Sequence, residues 1–225
     1  MDELTTAVPK PMLDLRGKSL LQYKLDALPE MIDEVILIVG YISAVIKKHF
    51  GESFEGRKVR YVEQGKLDGT AGALWKARDV LRGRFLVMNA DDIYSAEDVL
   101  AVAAPGDAWR LLVQQKEHLY RSGSVELDDE GYVSAIVEGD HEDRSGLGST
   151  NMFLLDDRLF SQPMVRIREG YPEFGLPQTV VAASRSLGIK IEPVYTSTWI
   201  EINSPRDLVY AAQILAEREK HDTHH

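Results

Sequence analysis

The 225-residue sequence has no cysteine, which excludes disulfides and thiolate metal sites. That absence fits a cytoplasmic setting. No apolar run approaches the roughly 20 residues needed to cross a bilayer, and the longest β-like run, Val35 to Val39, is strand-sized. Positive charge is in short supply, with 26 Lys and Arg against 36 Asp and Glu, a net −10. Such a balance argues against binding nucleic acid through the general field of the protein. It leaves small phosphates open, because a local pocket can be basic on an acidic chain. No GxGxxG follows a strand, and no ribose-binding acid stands at the expected spacing, so a dinucleotide dehydrogenase is a poor reading. The opening MDELTT is acidic and polar, unlike a signal peptide. Internal repeats, low-complexity tracts and linkers are also lacking.

What is present is an ordinary globular composition, 44% apolar and 28% charged. The length suits one core, so the expectation is a single domain over residues 1–218 with a polar tail at 219–225. The three histidines of that tail read as incidental rather than as a metal site.

Strand-like and helix-like patterns alternate over the first hundred residues. Ser19 and Gln22 form a capping box before an apolar stripe at Leu21, Leu25 and Leu28. The run from Glu34 to Gly40 predicts a strand buried on both faces. A short helix with Val45, Ile46 and Phe50 follows, then a strand through Val59 and Tyr61, a helix over Thr70–Leu81 and a buried strand over Phe85–Met88. After Asp91 the pattern predicts strands at 109–115, 124–127 and 132–137, the last two joined by the turn Asp128 to Gly131. A strand at 152–155, a helix at 178–187, a strand at 189–195 and a helix at 204–217 complete the chain. The expected fold class is α/β: a three-layer α/β/α, Rossmann-like domain with one mixed, mostly parallel sheet. No strand is expected in the first 18 residues.

Four segments carry chemistry. In Val8-Pro-Lys-Pro-Met12 two prolines are expected to hold Lys10 in an extended, stiff segment, where its ammonium can meet a phosphate; the bland alternative is an exposed lysine. In Gln64 to Leu74, glycines 65, 69 and 72 allow close backbone approach, and Thr70 is placed to cap the next helix. A plain strand-to-helix connection competes with that reading. The strand Phe85–Met88 delivers Asp91 and Asp92 to the carboxyl edge of a sheet, where open α/β folds bind ligands and where Mg²⁺ can use one or two carboxylates. In Trp199 to Leu208, Glu201 and Asn203 share a face if the segment is extended, and Ser204 with Pro205 starts a well-capped helix.

Together, VPKPML, QGKLDGTAGAL, FLVMNADD and WIEINSPRDL resemble the sugar-phosphate nucleotidyltransferase family, which includes nucleotide-sugar pyrophosphorylases and related cytidylyltransferases. The resemblance runs from about Leu4 to Leu215. It implies Mg²⁺-dependent transfer of a nucleoside monophosphate from a nucleoside triphosphate to a phosphorylated acceptor, a sugar 1-phosphate first and a phosphocholine-like group with CTP second. It implies Lys10 on phosphate, Gln64, Gly69 and Thr70 around the nucleobase, and Asp91 on the metal. Glu201 is implied as the second metal ligand, with Asn203 as a competing choice. Glu138 and Asn151 fall on the acceptor side. Self-association stays open.

The sequence also departs from the family. Ala90 replaces a glycine before the metal acid, and Glu138-Gly-Asp140 lacks the lysine usual on the acceptor side. Glu201 replaces the commoner Asp. The strand and GxG-type loop expected before residue 1 have no counterpart. Two readings of that gap stand, a start assigned too late or a short chain with a degraded site. A non-catalytic, nucleotide-binding homologue is the rival functional reading.

Overall fold

The computed structural model describes residues 8–40, 43–119, 123–139 and 145–222. Its first element is a 3-10 turn at Lys10–Met12, held by Met12 N–H on Pro9 O at 2.8 Å and Leu13 N–H on Lys10 O at 3.1 Å. Pro9 and Leu13, on either side of the turn, are extended. Lys10 is therefore fixed by turn bonds rather than by an extended proline frame, which corrects the expectation. A strand pair in the first 19 residues was also unexpected. Asp14–Leu15 (β1) and Lys18–Ser19 (β2) pair across Arg16 and Gly17, both at positive φ, the backbone that tight hairpins require.

Ser19 then caps α1 (Leu20–Asp26), its hydroxyl accepting from Gln22 N–H at 3.1 Å. The stripe works as predicted: Leu21 and Leu25 are buried with Val39, Ile46 and Phe50. β3 (Glu34–Val39) leads into α2 (Ser43–Phe50). β3 lies parallel to β5 (Arg57–Glu63), while β4 (Ser53–Phe54) pairs antiparallel with β5.

The larger sheet has six strands. Its path is β11 (Ile191–Thr196), β7 (Trp109–Lys116), β10 (Gly146–Asp156), β8 (Ser124–Leu127) and β9 (Val133–Val137), with β6 (Arg84–Val87) also on β10. β7 alternates as a doubly covered strand should. Leu111 and Val113 join one core with α3 (Gly69–Lys76) and α5 (Leu176–Leu187), while Leu112 joins the other with α4 (Ala96–Ala103).

The α/β class and the mixed sheet agree with the expectation, but the strands form separate sheets and parallel pairs are fewer than the strand–helix alternation suggests. Only β3–β5 and β7–β11 run parallel among the described pairs. The eleven-residue β10 is the reason, since it pairs antiparallel with β6, β7 and β8. Its polar start, Gly146 to Asn151, hid it from a hydrophobicity reading centred on Met152.

Three further boundaries moved. α3 stops at Lys76 instead of Leu81, and α4 was missed although Ser95 caps it by accepting from Asp98 N–H at 3.1 Å. The last helix, α6 (Pro205–Asp222), runs into the residues expected to be a tail. No described helix is long and apolar enough to cross a membrane.

Candidate active site

The site is assembled by a single backbone bridge. β6 carries the chain to a loop, Asn89 to Asp92, and Ile93 then exchanges both backbone hydrogen bonds with Ile200 at 3.0 Å. Because Ile93 and Ile200 are buried in one cluster, this bridge brings the loop of Asp91 beside the segment of Glu201. Both acids line a cleft of about 350 Å³ together with Asn89, Asp92, Trp199 and Asn203. Gly123, Glu138, Ser149 and Asn151 complete its lining.

Lys10 meets Asp91, Nζ to Oδ2 2.6 Å, with the two side chains 24% and 31% exposed. Glu201 is held at both oxygens. Oε2 pairs with Lys116 Nζ at 2.8 Å, and Oε1 accepts from Asn203 Nδ2 at 2.8 Å. Asn203 N–H and Ser204 N–H both donate to Asp207 Oδ2 at 2.7 Å. That clamp fixes the start of α6, so the cap expected at Ser204 and Pro205 also aims Glu201.

A charged layer lies behind the cleft. Lys24 is buried on α1, donates to the backbone carbonyl of Asp92, and stands 4.4 Å from the Tyr94 ring centre. Burial lowers its pKa to about 8 against the pull of Asp92 and Asp91. Burial, then the neighbouring Asp91, raises the Asp92 carboxyl to about 6. Burial also lifts the Tyr94 phenol well above its usual value, while its hydroxyl donates to Thr150 O at 2.7 Å.

Asp92 therefore ties stability to pH in one direction. A carboxyl held above its unfolded value of 3.8 binds its proton more tightly in the native state. Its contribution is full below the unfolded pKa and is lost as pH rises through about 6. Asp92→Asn removes that dependence. Between about pH 4 and pH 7 the wild type should lose about 2 kcal/mol relative to this variant, since each tenfold difference in proton affinity is worth roughly 1.36 kcal/mol. Urea melts of the two proteins across that range measure it, and parallel curves would refute it.

Gln64, Gly69 and Thr70 are absent from the lining of the Asp91 cleft. Gln64 Nε2 donates to Asp68 Oδ1 at 3.2 Å. Gly69, at φ +94°, presses its Cα against the backbone of Phe174, and Gly72 faces the Asp68 carboxylate. Gly65 has open space around it. The close approaches at Gly69 and Gly72 are thus filled by the chain itself. Nor does Thr70 cap α3: the cap position is Asp68, and Thr70 Oγ1 accepts from Leu176 N–H at 2.9 Å. Thr70 thereby satisfies a free N–H at the start of α5. Thr70→Val should destabilise the protein by about 1–2 kcal/mol, because it leaves that N–H unpaired; chemical denaturation reads the change.

Asn151 has φ +57°, and the β7–β10 register shifts between Ser149 and Phe153. Bulges of this kind re-aim side chains beside functional sites, and here Asn151 lines the cleft. Glu138 also lines it and accepts from Gln178 Nε2 at 3.1 Å. Its neighbour Asp140 lies outside the described residues.

Sequence reasoning missed Lys116, Lys24 and Tyr94. Lys24 had a signal, since it stands three residues after Leu21 on the buried stripe of α1. Lys116 ends a strand with no pattern around it, so only the tertiary structure finds it.

Asp91 and Glu201, about one-third exposed, offer the hard oxygen donors that Mg²⁺ takes alongside phosphate and water. The described residues hold no cluster of three or more His, Cys, Asp or Glu able to cage a metal. An open two-carboxylate site therefore fits the donor set better than a closed one.

The bifunctional protein GlmU of Methanocaldococcus jannaschii is 27% identical over 220 residues, covering 96% of this chain and 51% of that protein. The chain thus spans about half the length of that curated relative. The UTP–glucose-1-phosphate uridylyltransferase AglF of Haloferax volcanii is 24% identical over 95% of this chain and 90% of its own length. The fold matches the inositol-1-phosphate CTP transferase from T. maritima with a TM-score of 0.74 at 18% identity, covering 94% of this chain and 89% of that one. A family model described as nucleotidyl transferase matches residues 1–174, and with it the chain belongs to the nucleotidyl transferase family.

Proposed function

We propose that the protein transfers a nucleoside monophosphate from a nucleoside triphosphate to a phosphorylated acceptor, with a sugar 1-phosphate as the first choice, and releases pyrophosphate. The observation that carries this is the convergence of Asp91, with Lys10 on it, and Glu201 in one cleft through the Ile93–Ile200 bridge. Such a transfer needs positioning and charge neutralisation more than a covalent intermediate. Mg²⁺ would be held by Asp91 and Glu201 and, when bound, supplies Lewis acidity at the phosphoryl oxygens. Asn203 donates through Nδ2 to Glu201 and so orients that ligand, while its own Oδ1 stays the competing metal donor. Lys10 offers a point charge to phosphate beside Asp91. Glu138 and Asn151 are assigned to acceptor hydroxyls. Gln64, Gly69 and Thr70 keep a nucleobase assignment at the level of their backbone, since the Thr70 hydroxyl is taken. We assign the protein to the cytoplasm.

The test is pyrophosphate release with each of the four triphosphates against a panel of sugar 1-phosphates and phosphocholine, with and without Mg²⁺. Release with one pair supports the reading, and release with none overturns it. Nucleotide binding without any release favours the rival homologue, for which the occupied Thr70 and Gly69 speak.

We also propose that the domain of residues 1–218 is completed by a strand and a Gly-rich loop preceding residue 1. Two sheet edges support this. Among the described residues β3 pairs only with β5, and β6 only with β10. Yet Val35 to Ile38 and Phe85 to Val87 are apolar and only half-buried, a costly state for a sheet edge. α3 packs near both strands, so a strand between them would join the two sheets. Extending the gene in frame upstream should raise the thermal midpoint, and a stop codon directly before Met1 would remove the proposal.

A further inference from the structure

Glu138 stands just past the end of β9 and is exposed in the cleft. A carboxylate in that position keeps its rotamer freedom unless something holds it, and ordering it on binding costs affinity. Gln178 is what holds it. Its Nε2 donates to Glu138 Oε2 at 3.1 Å, between residues 40 apart in the chain.

Gln178 is the third residue of α5, where a glutamine ordinarily folds back and accepts from the N–H of the cap residue. The side chain does fold back, since a Cβ on the cap residue, Gly175, would collide with Gln178 Oε1. Gly175 has φ −88°, which any residue adopts, so its missing side chain gives this amide room. Yet the capping bond is not made. Gly175 N–H donates to Val165 O at 3.0 Å, and Gln178 Oε1 is buried without a hydrogen-bond partner. Among the described residues the amide's hydrogen bond goes outward instead, to Glu138. The reverse amide orientation would set an acceptor oxygen against the carboxylate.

The base under Gln178 is fixed. Thr70 Oγ1 accepts from Leu176 N–H at 2.9 Å. Thr179 Oγ1 donates to Gly175 O at 2.7 Å and accepts from Val165 N–H at 2.9 Å. The holder is also neutral. An amide restrains Glu138 Oε2 without cancelling the carboxylate charge, so Oε1 keeps the strength of a charged acceptor toward hydroxyl donors.

We propose that Gln178 is a positioning residue for acceptor recognition: it aims Glu138 at hydroxyls of the acceptor and so favours a sugar phosphate over phosphocholine, which has no hydroxyl. The proposal rests on the assignment of Glu138 to the acceptor above.

The experiment uses the full chain with Gln178→Met, Gln178→Glu, Glu138→Gln and the double variant Glu138→Gln with Gln178→Met. Calorimetry measures binding of a panel of sugar 1-phosphates and of phosphocholine. Wild type should bind a sugar 1-phosphate more tightly than phosphocholine. Gln178→Met should weaken that sugar phosphate about fivefold, the worth of one hydrogen bond to a charged group. Gln178→Glu should weaken it more than about tenfold, because it sets two carboxylates side by side. Once Glu138 is Gln, the added Gln178→Met should change affinity less than about twofold, since the partner it acts through is gone. Unchanged affinity in Gln178→Met overturns the proposal. An equal loss with and without the Glu138 carboxylate overturns it too, leaving Gln178 a packing residue of α5. A wild type that binds no sugar 1-phosphate, or that prefers phosphocholine, has the same consequence.

Pyrophosphate release tells this proposal from the transfer reading. Both stand if Gln178→Met raises the acceptor KM while kcat and the triphosphate KM hold. Release with an acceptor KM unmoved by Gln178→Met sinks the role of Gln178 and leaves nucleotidyl transfer in place. Sugar-phosphate binding that depends on Gln178, in a wild type that releases no pyrophosphate, does the reverse.

Discussion

Asp91→Asn should lower pyrophosphate release about 1,000-fold, roughly 4 kcal/mol of transition-state stabilisation. The substitution keeps the shape of the side chain and leaves the Ile93–Ile200 bridge untouched, so the loop is not rearranged. What it removes is the charge that Lys10 meets at 2.6 Å and that a divalent cation would need. Asp91 is about one-third exposed, and an exposed pair of this kind contributes only about 0–1 kcal/mol to folding. The thermal midpoint should therefore move little while the rate collapses. A coupled assay for pyrophosphate, run beside a melt, separates the two quantities. An Asn variant that keeps more than about a tenth of the rate would place the essential carboxylate elsewhere in the cleft, with Asp92 next in line.

Gly69→Ala acts in the opposite way, on the fold more than on the chemistry. At φ +94° a side chain is strained whatever the space, which costs about 1–3 kcal/mol. Here there is also no space. An added Cβ would collide with the carbonyl oxygen of Phe174 and stand 2.7 Å from its nitrogen. Phe174 N–H donates to Asp68 O at 2.8 Å, and Ala71 N–H to Phe174 O at 3.1 Å, so neither chain can retreat without breaking a bond. Overpacking adds about 1–3 kcal/mol, and a total near 4 kcal/mol is expected. Equilibrium unfolding in urea measures it. A loss below about 1 kcal/mol would show that the segment around Phe174 yields freely.

These two positions show how unevenly the site could be read. Asp91 was legible because an apolar run followed by acids has one simple meaning in an α/β chain: a buried strand that delivers charge to its carboxyl edge. Gly69 was legible as a special backbone position, but its partner was not. A glycine announces close approach without naming what approaches, and the partner here is Phe174, 105 residues later. Thr70 failed in the same way, because a hydroxyl before a helix reads as a local cap while its actual bond goes to Leu176. Lys116 was invisible. A lysine ending a strand is ordinary, and only the pairing of β7 with β10 and β11 carries it to Glu201.

By itself the sequence determined the α/β class, most of the strands and helices, the Ser19 and Ser204 caps, and the position of Asp91 just beyond a strand. Each of these depends on neighbours within one or two turns, where periodicity and capping chemistry act. Tertiary structure alone decided the length and bulge of β10, the separation into distinct sheets, the Ile93–Ile200 bridge, and the partners of Gly69, Thr70, Lys24 and Lys116. Those features rest on contacts between residues far apart along the chain, whose energies depend on burial and register that no local pattern encodes.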